Sequence, residues 1–111
     1  DPAFVTDALL RRYHDLLRAP GVRRALLERL RQTVLVDPAP LLTQITAPTL
    51  LLWGEDDRMI PVGNAQDYLR ALPQATLVAL PGVGHLPQEE AVAASVAALR
   101  AHLAGAAQKS K

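Results

Sequence analysis

The stretch Pro48-Thr49-Leu50-Leu51-Leu52-Trp53-Gly54-Glu55-Asp56-Asp57-Arg58-Met59-Ile60-Pro61 decides the fold. Thr49 to Trp53 lacks any alternation of polar and apolar positions, the pattern of a strand covered on both faces in a parallel sheet. Pro48 suits the position before such a strand, where no N–H is needed for the ladder. Gly54 lets the backbone turn and leaves Glu55, Asp56 and Asp57 in the loop at the strand's carboxyl end. In open α/β sheets, ligands and chemistry collect along that edge.

Downstream the pattern repeats. Ala75 to Leu80 is apolar, Pro81-Gly82-Val83-Gly84 interrupts it, and His85 stands at the end of the interruption. Between the two strands a helix is predicted from near Pro61 to about Leu72, with Ala65, Tyr68, Leu69 and Leu72 on its buried side and Pro73 as its stop. Strand, helix, strand makes a βαβ unit with a right-handed crossover. Each strand then brings a titratable side chain to the same rim. An acid and a histidine are the two supporting members of a nucleophilic triad. A last helix is predicted from about Gln88 to Leu103, with Val92, Val96, Leu99 and Leu103 as its apolar stripe. Glu89 and Glu90 complement the dipole of its first turn, and Gly105 ends it.

Upstream, Thr6 reads as an N-cap with Asp7 in the first turn. Leu9, Leu10, Tyr13, Leu16 and Leu17 recur at helical spacing, and Val22, Ala25, Leu26 and Leu30 form the face of a second helix beyond Pro20-Gly21. The chain is thus divided into a helical hairpin over 1–32, a linker over 33–47 with one apolar turn around Leu41, Leu42 and Ile45, an α/β part over 48–105 and a disordered tail over 106–111. Two adjacent strands are too few for a stable buried sheet, so further strands are expected from elsewhere. The start at Asp1-Pro2-Ala3-Phe4, without an initiator methionine, reads as a cut within a longer protein.

With 111 residues the chain suffices for one domain, and 50% hydrophobic residues supply material for a core. It has no cysteine, which excludes disulfides and thiolate chemistry. No apolar run approaches the roughly 20 residues of a membrane-spanning helix, and no leader is visible, so the expected compartment is the cytoplasm. The arginines at 11, 12, 18, 23, 24, 29 and 31 raise the question of nucleic acid or an anionic membrane surface. Asp7, Asp15 and Glu28 interleave with them and no glycine-rich or aromatic nucleic-acid motif accompanies them. A solvated helix face is the preferred reading, with neither a nucleic-acid partner nor a membrane span.

The run from Ala47 to Pro61 closely resembles the acid-bearing segment of α/β-hydrolase-fold enzymes, and Pro81-Gly82-Val83-Gly84-His85-Leu86-Pro87-Gln88-Glu89-Glu90 resembles their histidine-bearing loop. The 28 positions from Asp57 to His85 suit that family too. The resemblance implies a partial α/β-hydrolase fold: two parallel strands with a crossover and C-terminal helices, preceded by a hairpin from the end of the cap. It implies Asp57 as catalytic acid and His85 as general base, with no metal and no organic cofactor. It also implies a small hydrophobic ester or amide as substrate; haloalkane, epoxide, peroxidase-like and carbon–carbon hydrolase chemistries share the scaffold. The nucleophile elbow G-x-S-x-G is absent, and the only serines are Ser95 and Ser110, neither on a strand-to-helix turn. The nucleophile is therefore expected upstream, and the isolated chain is expected to be inactive.

Plainer readings stand beside these. Asp57 could cap the following helix, with Asp56 or Glu55 as the acid; His85 could be a turn residue; and Trp53 could line a pocket or fill core. His14 and His102 read as surface or packing residues. A non-catalytic alternative is a truncated hydrolase acting as an interaction module, its unpaired sheet edge binding a partner chain or a second copy.

Overall fold

The computed structural model describes residues 4–109. The polypeptide separates into two compact units, one ending at Asp37 and the other beginning at Pro38. In the first, α1 (Asp7–Arg18) and α2 (Val22–Arg31) form a helical hairpin. The Thr6 side chain accepts the Leu9 N–H, with Asp7 in the first turn and Arg18 in the last, so cap and dipole agree. Neither helix contains a buried residue, and Leu10, Leu16, Leu17, Leu26, Leu27 and Leu30 are all exposed.

The second unit opens with a single turn, α3 (Ala39–Leu42), within the segment assigned to the linker. Strand β1 (Thr49–Gly54) follows, then a 3₁₀ turn (Val62–Asn64), α4 (Ala65–Ala71), strand β2 (Ala75–Leu80), α5 (Pro87–Glu90) and α6 (Val92–Lys109). β1 and β2 pair in parallel from Thr49↔Ala75 to Gly54↔Leu80, so both strands finish at the same end. Parallel pairing requires a crossover, which α4 supplies. Ala65, Leu72, Val83 and Pro87 are buried in this unit. Apart from Gly54 the residues of β1 are half-buried, not covered on both faces as the sequence suggested, because a two-stranded sheet offers little to cover them.

Three boundaries differ from the sequence reading. The helix after β1 starts as a 3₁₀ turn because Pro61 is extended (φ −54°, ψ 141°) and the chain tightens before α4. The final helix is split: Ala91 leaves the helical region (φ −139°, ψ 57°), so Glu89 and Glu90 belong to α5 and not to the first turn of α6. Gly105 does not end α6, which continues to Lys109, where the sequence reading had a disordered tail. The alanines on both sides of Gly105 favour helix enough to carry it through. Ser110, Lys111 and Asp1 to Ala3 lie outside the described residues.

The inward face of α6 also differs. Val92, Val96, Leu99 and Leu103 are 40–59% exposed. Ser95 is buried instead, with Ala98 and His102 half-buried, a face displaced by one residue around the helix. Small side chains at 95 and 98 allow a close approach, and the bulkier stripe is turned away.

Candidate active site

The site is built where β1 and β2 end. Gly54 closes β1 with its backbone against the loop that follows β2: a Cβ at this position would sit 2.1 Å from the Gly84 carbonyl oxygen and 2.2 Å from that of Val83. Only glycine fits such an approach. The Asp56 N–H donates to the Val83 carbonyl at 2.9 Å and the Glu55 N–H to the Leu80 carbonyl at 3.0 Å. Gly82, at φ 69°, makes the turn that brings the second loop back. The acid loop and the histidine loop are therefore bonded main chain to main chain before any side chain takes part.

Asp57 lies in this seam, 8% exposed. Its Oδ1 accepts the N–H groups of Met59 at 2.8 Å and Ile60 at 2.9 Å, and its Oδ2 lies 2.9 Å from Nδ1 of His85. Asp57 does not cap the following helix, whose N-cap positions receive no side-chain bond; its Oδ1 closes the acid loop on itself and its Oδ2 faces His85. Burial alone would raise the Asp57 pKa; the bonds from Ile60, His85 and Met59 and the charge of His85 outweigh it and hold the carboxyl below its ordinary value. An ionised carboxylate only accepts, so Nδ1 of His85 carries the proton of this bond and Nε2 is the basic nitrogen of the neutral ring. The His85 side chain is 39% exposed. Glu55 and Asp56, the other two acids of the run, are exposed and contribute their backbone N–H groups to the seam.

Further residues shape the two loops. Trp53, half-buried, donates its indole N–H to the Ile60 carbonyl at 2.8 Å and stands 6.0 Å, ring to ring, from Tyr68. It fastens the acid loop from below instead of simply filling core. Glu90 was read from the sequence as a dipole-complementing charge; its carboxylate in fact accepts the N–H groups of Gly84 and Leu86. These bonds hold its pKa below the ordinary value. No local pattern signals this, since Leu86 at the N-cap has no polar side chain and Glu90 lies one position beyond the N3 site of a capping box. Ser95 donates its Oγ–H to the Pro87 carbonyl at 2.7 Å. His14, in the other unit, pairs with Asp15 at 3.2 Å. Among the described residues no group of three or more His, Asp and Glu side chains is placed to hold a metal, and no helix is long and apolar enough to cross a membrane.

Comparison with known proteins agrees with this architecture. The chain is 32% identical over 93 residues to a 2-hydroxy-6-oxo-6-phenylhexa-2,4-dienoate hydrolase of Burkholderia cepacia, covering 81% of this chain and 32% of the relative. It spans about a third of the length of the first curated relatives that it matches. Among solved structures it superposes on a membrane phospholipase A with a TM-score of 0.75 and 31% identity, over 92% of this chain and 33% of that one. A serine hydrolase involved in carbazole degradation gives a TM-score of 0.79 at 22% identity, over 90% and 40% of the respective chains, a likeness of fold. The family described as alpha/beta hydrolase fold matches residues 9–92. With two parallel strands and their helices matched over most of its length, this chain belongs to the α/β-hydrolase-fold family.

Proposed function

We propose that these residues are the carboxyl-terminal part of a hydrolase in which Asp57 and His85 are the acid and the general base of a nucleophile–histidine–acid triad. One contact carries this: the 2.9 Å approach of His85 Nδ1 to Asp57 Oδ2 at the carboxyl ends of two adjacent parallel strands. Nε2 takes the proton of a nucleophilic hydroxyl as that oxygen attacks a carbonyl carbon, and later delivers it to the leaving group. Asp57 keeps the ring in the tautomer that makes Nε2 basic and stabilises the imidazolium between the two transfers. The nucleophile comes from polypeptide outside these residues, since Ser95 spends its hydroxyl on Pro87 in the buried side of α6.

The substrate is a carbonyl compound with apolar flanks, an ester or an oxo-dienoate. The relatives are named for a dienoate and for a phospholipase, and attack on a carbonyl is common to both chemistries. Residues 1–32 are the end of a cap, 33–47 its linker, and 48–105 the carboxyl-terminal part of the core. A non-catalytic interaction module is the second reading, favoured by the open outer edges of β1 and β2 among the described residues.

The test is turnover of a chromogenic short-chain ester and of an oxo-dienoate by the polypeptide that carries these residues together with the rest of the fold. His85→Ala lowers kcat on the order of 10⁶-fold, and Asp57→Asn on the order of 10⁴-fold, with little change in KM. The 111-residue chain alone gives no turnover above background. Undiminished turnover after His85→Ala refutes the assignment of the general base, whereas no turnover of either substrate by the unaltered polypeptide leaves the module reading.

A further inference from the structure

Glu90 reaches back from α5 and takes the two peptide N–H groups that flank His85. Its Oε2 accepts from Gly84 at 2.9 Å and its Oε1 from Leu86 at 3.0 Å. One carboxylate thus ties the Val83–Gly84 peptide to the His85–Leu86 peptide, on either side of the residue that carries the imidazole. Gly84 is suited to this role: a Cβ there would stand 3.0 Å from both Glu90 oxygens, tight enough to displace the carboxylate. The base of the clamp is itself anchored, because Ser95 of α6 holds the Pro87 carbonyl and the Ala91 N–H returns to Pro87. At neutral pH the carboxylate is ionised, so both bonds are charge-assisted and stronger than neutral ones. Asp57 is the charged neighbour whose field acts against it.

We propose that Glu90 is a positioning residue, a carboxylate clamp on the backbone either side of His85 that keeps Nδ1 on Asp57 and Nε2 in one place for the reaction. The proposal rests on the triad reading of Asp57 and His85. Its bonds to the Gly84 and Leu86 N–H groups are to the main chain, and it acts on His85 through them.

Nuclear magnetic resonance of the isotope-labelled chain tests it. In the unaltered protein, the amide protons of Gly84 and Leu86 and the side-chain carboxyl carbon of Glu90 shift together on acidification, with one common midpoint below 4.5. Amides that follow the Asp57 carboxyl instead, or that do not shift, overturn the clamp; this arm needs no variant to fold. The second arm follows the proton on His85 Nδ1 in variants that circular dichroism finds folded. Glu90→Gln can accept only one of the two N–H groups and speeds exchange of that proton with water roughly tenfold, the loss expected for one charge-assisted bond. Glu90→Asp, too short to span both, does the same, whereas Glu55→Gln, a charge removed from the neighbouring loop, leaves it unchanged. Asp57→Asn separates the two levels of inference. Loss of the His85 signal in Asp57→Asn without change in Glu90→Gln overturns the clamp alone, and a signal indifferent to Asp57→Asn overturns the pair on which the clamp rests.

Discussion

Replacing Gly54 by alanine should part the two loops on which the site stands. The new Cβ would lie 2.1 Å from the Gly84 oxygen, 2.2 Å from the Val83 oxygen and 2.6 Å from the Val83 carbonyl carbon. All three are main-chain atoms, so no side chain can swing aside, and the histidine loop must retreat by roughly 1 Å to restore a tolerable contact. A retreat of that size carries the 2.9 Å bond from Asp56 N–H to Val83 beyond hydrogen-bonding range and strains the one from Glu55 to Leu80. Overpacking typically costs about 1–3 kcal/mol, and each lost backbone bond about 1 kcal/mol more. The sum is about 2–4 kcal/mol, a large part of the stability of a domain at the low end of the usual range of about 5–15 kcal/mol. Gly63→Ala is the control, since nothing lies within 4 Å of its Cβ position, and it should stay within about 0.5 kcal/mol of the parent. Urea unfolding followed by the fluorescence of the single tryptophan measures both. At about 1–3 kcal/mol per molar urea, Gly54→Ala lowers the midpoint by roughly 2 M or abolishes the transition. Equal midpoints for Gly54→Ala and Gly63→Ala would refute the seam between the loops.

Two further outcomes follow from the same contacts. Asp57 and Glu90 both have folded-state pKa values below their ordinary values of 3.8 and 4.5, so between the unfolded and folded values the unfolded chain binds the extra protons. Their stabilisation is complete above the ordinary values and is lost as pH falls through the folded ones; urea midpoints taken from pH 7 to pH 3 should show that decline, and the double variant Asp57→Asn with Glu90→Gln should flatten it, whereas an unaltered slope would assign it to other carboxylates. Ser95→Ala removes one of the two donors to the Pro87 carbonyl, the Ala91 N–H remaining, and should cost about 1 kcal/mol by the same unfolding measurement; a neutral result would mean that this bond does not anchor the end of the histidine loop.

The strand pair was legible because its residues carry strong local signals: an unbroken apolar run, a glycine stop, and a proline-glycine break after the second run. Those boundaries place the loops after Gly54 and Leu80 at the same end, since the strands run parallel and in register; the choice of Asp57 over Glu55 and Asp56 came from the family resemblance. What stayed hidden depends on atoms brought together only by the fold. Gly54 reads as a turn glycine, yet its decisive property is the carbonyl groups of Val83 and Gly84 pressed against it, some thirty positions away. Glu90 reads as a surface charge at a helix start, because nothing in the local pattern records that Gly84 and Leu86 turn their N–H groups towards it. The face of α6 was misjudged for a related reason: periodicity finds the bulkiest stripe, whereas close packing on two strands selects the smallest, Ser95 and Ala98.

The bonds around Asp57 and His85 are drawn from a short stretch of chain. The bonds described around Asp57 and His85 join residues between Trp53 and Ser95: the indole on Ile60, the backbone N–H groups on Oδ1 of Asp57, the Val83 and Leu80 carbonyls, the Glu90 carboxylate on Gly84 and Leu86, and the serine behind Pro87. The Asp57–His85 pair is thus held by local bonds, in a chain about a third as long as its first curated relatives. The faces of β1 and the outer stripe of α6, by contrast, stay only partly covered. Geometry and stability thus draw on different parts of the fold. Two short loops bonded backbone to backbone can hold a carboxylate to an imidazole within hydrogen-bonding distance, while the apolar surface that would make such a sheet durable needs further layers packed upon it.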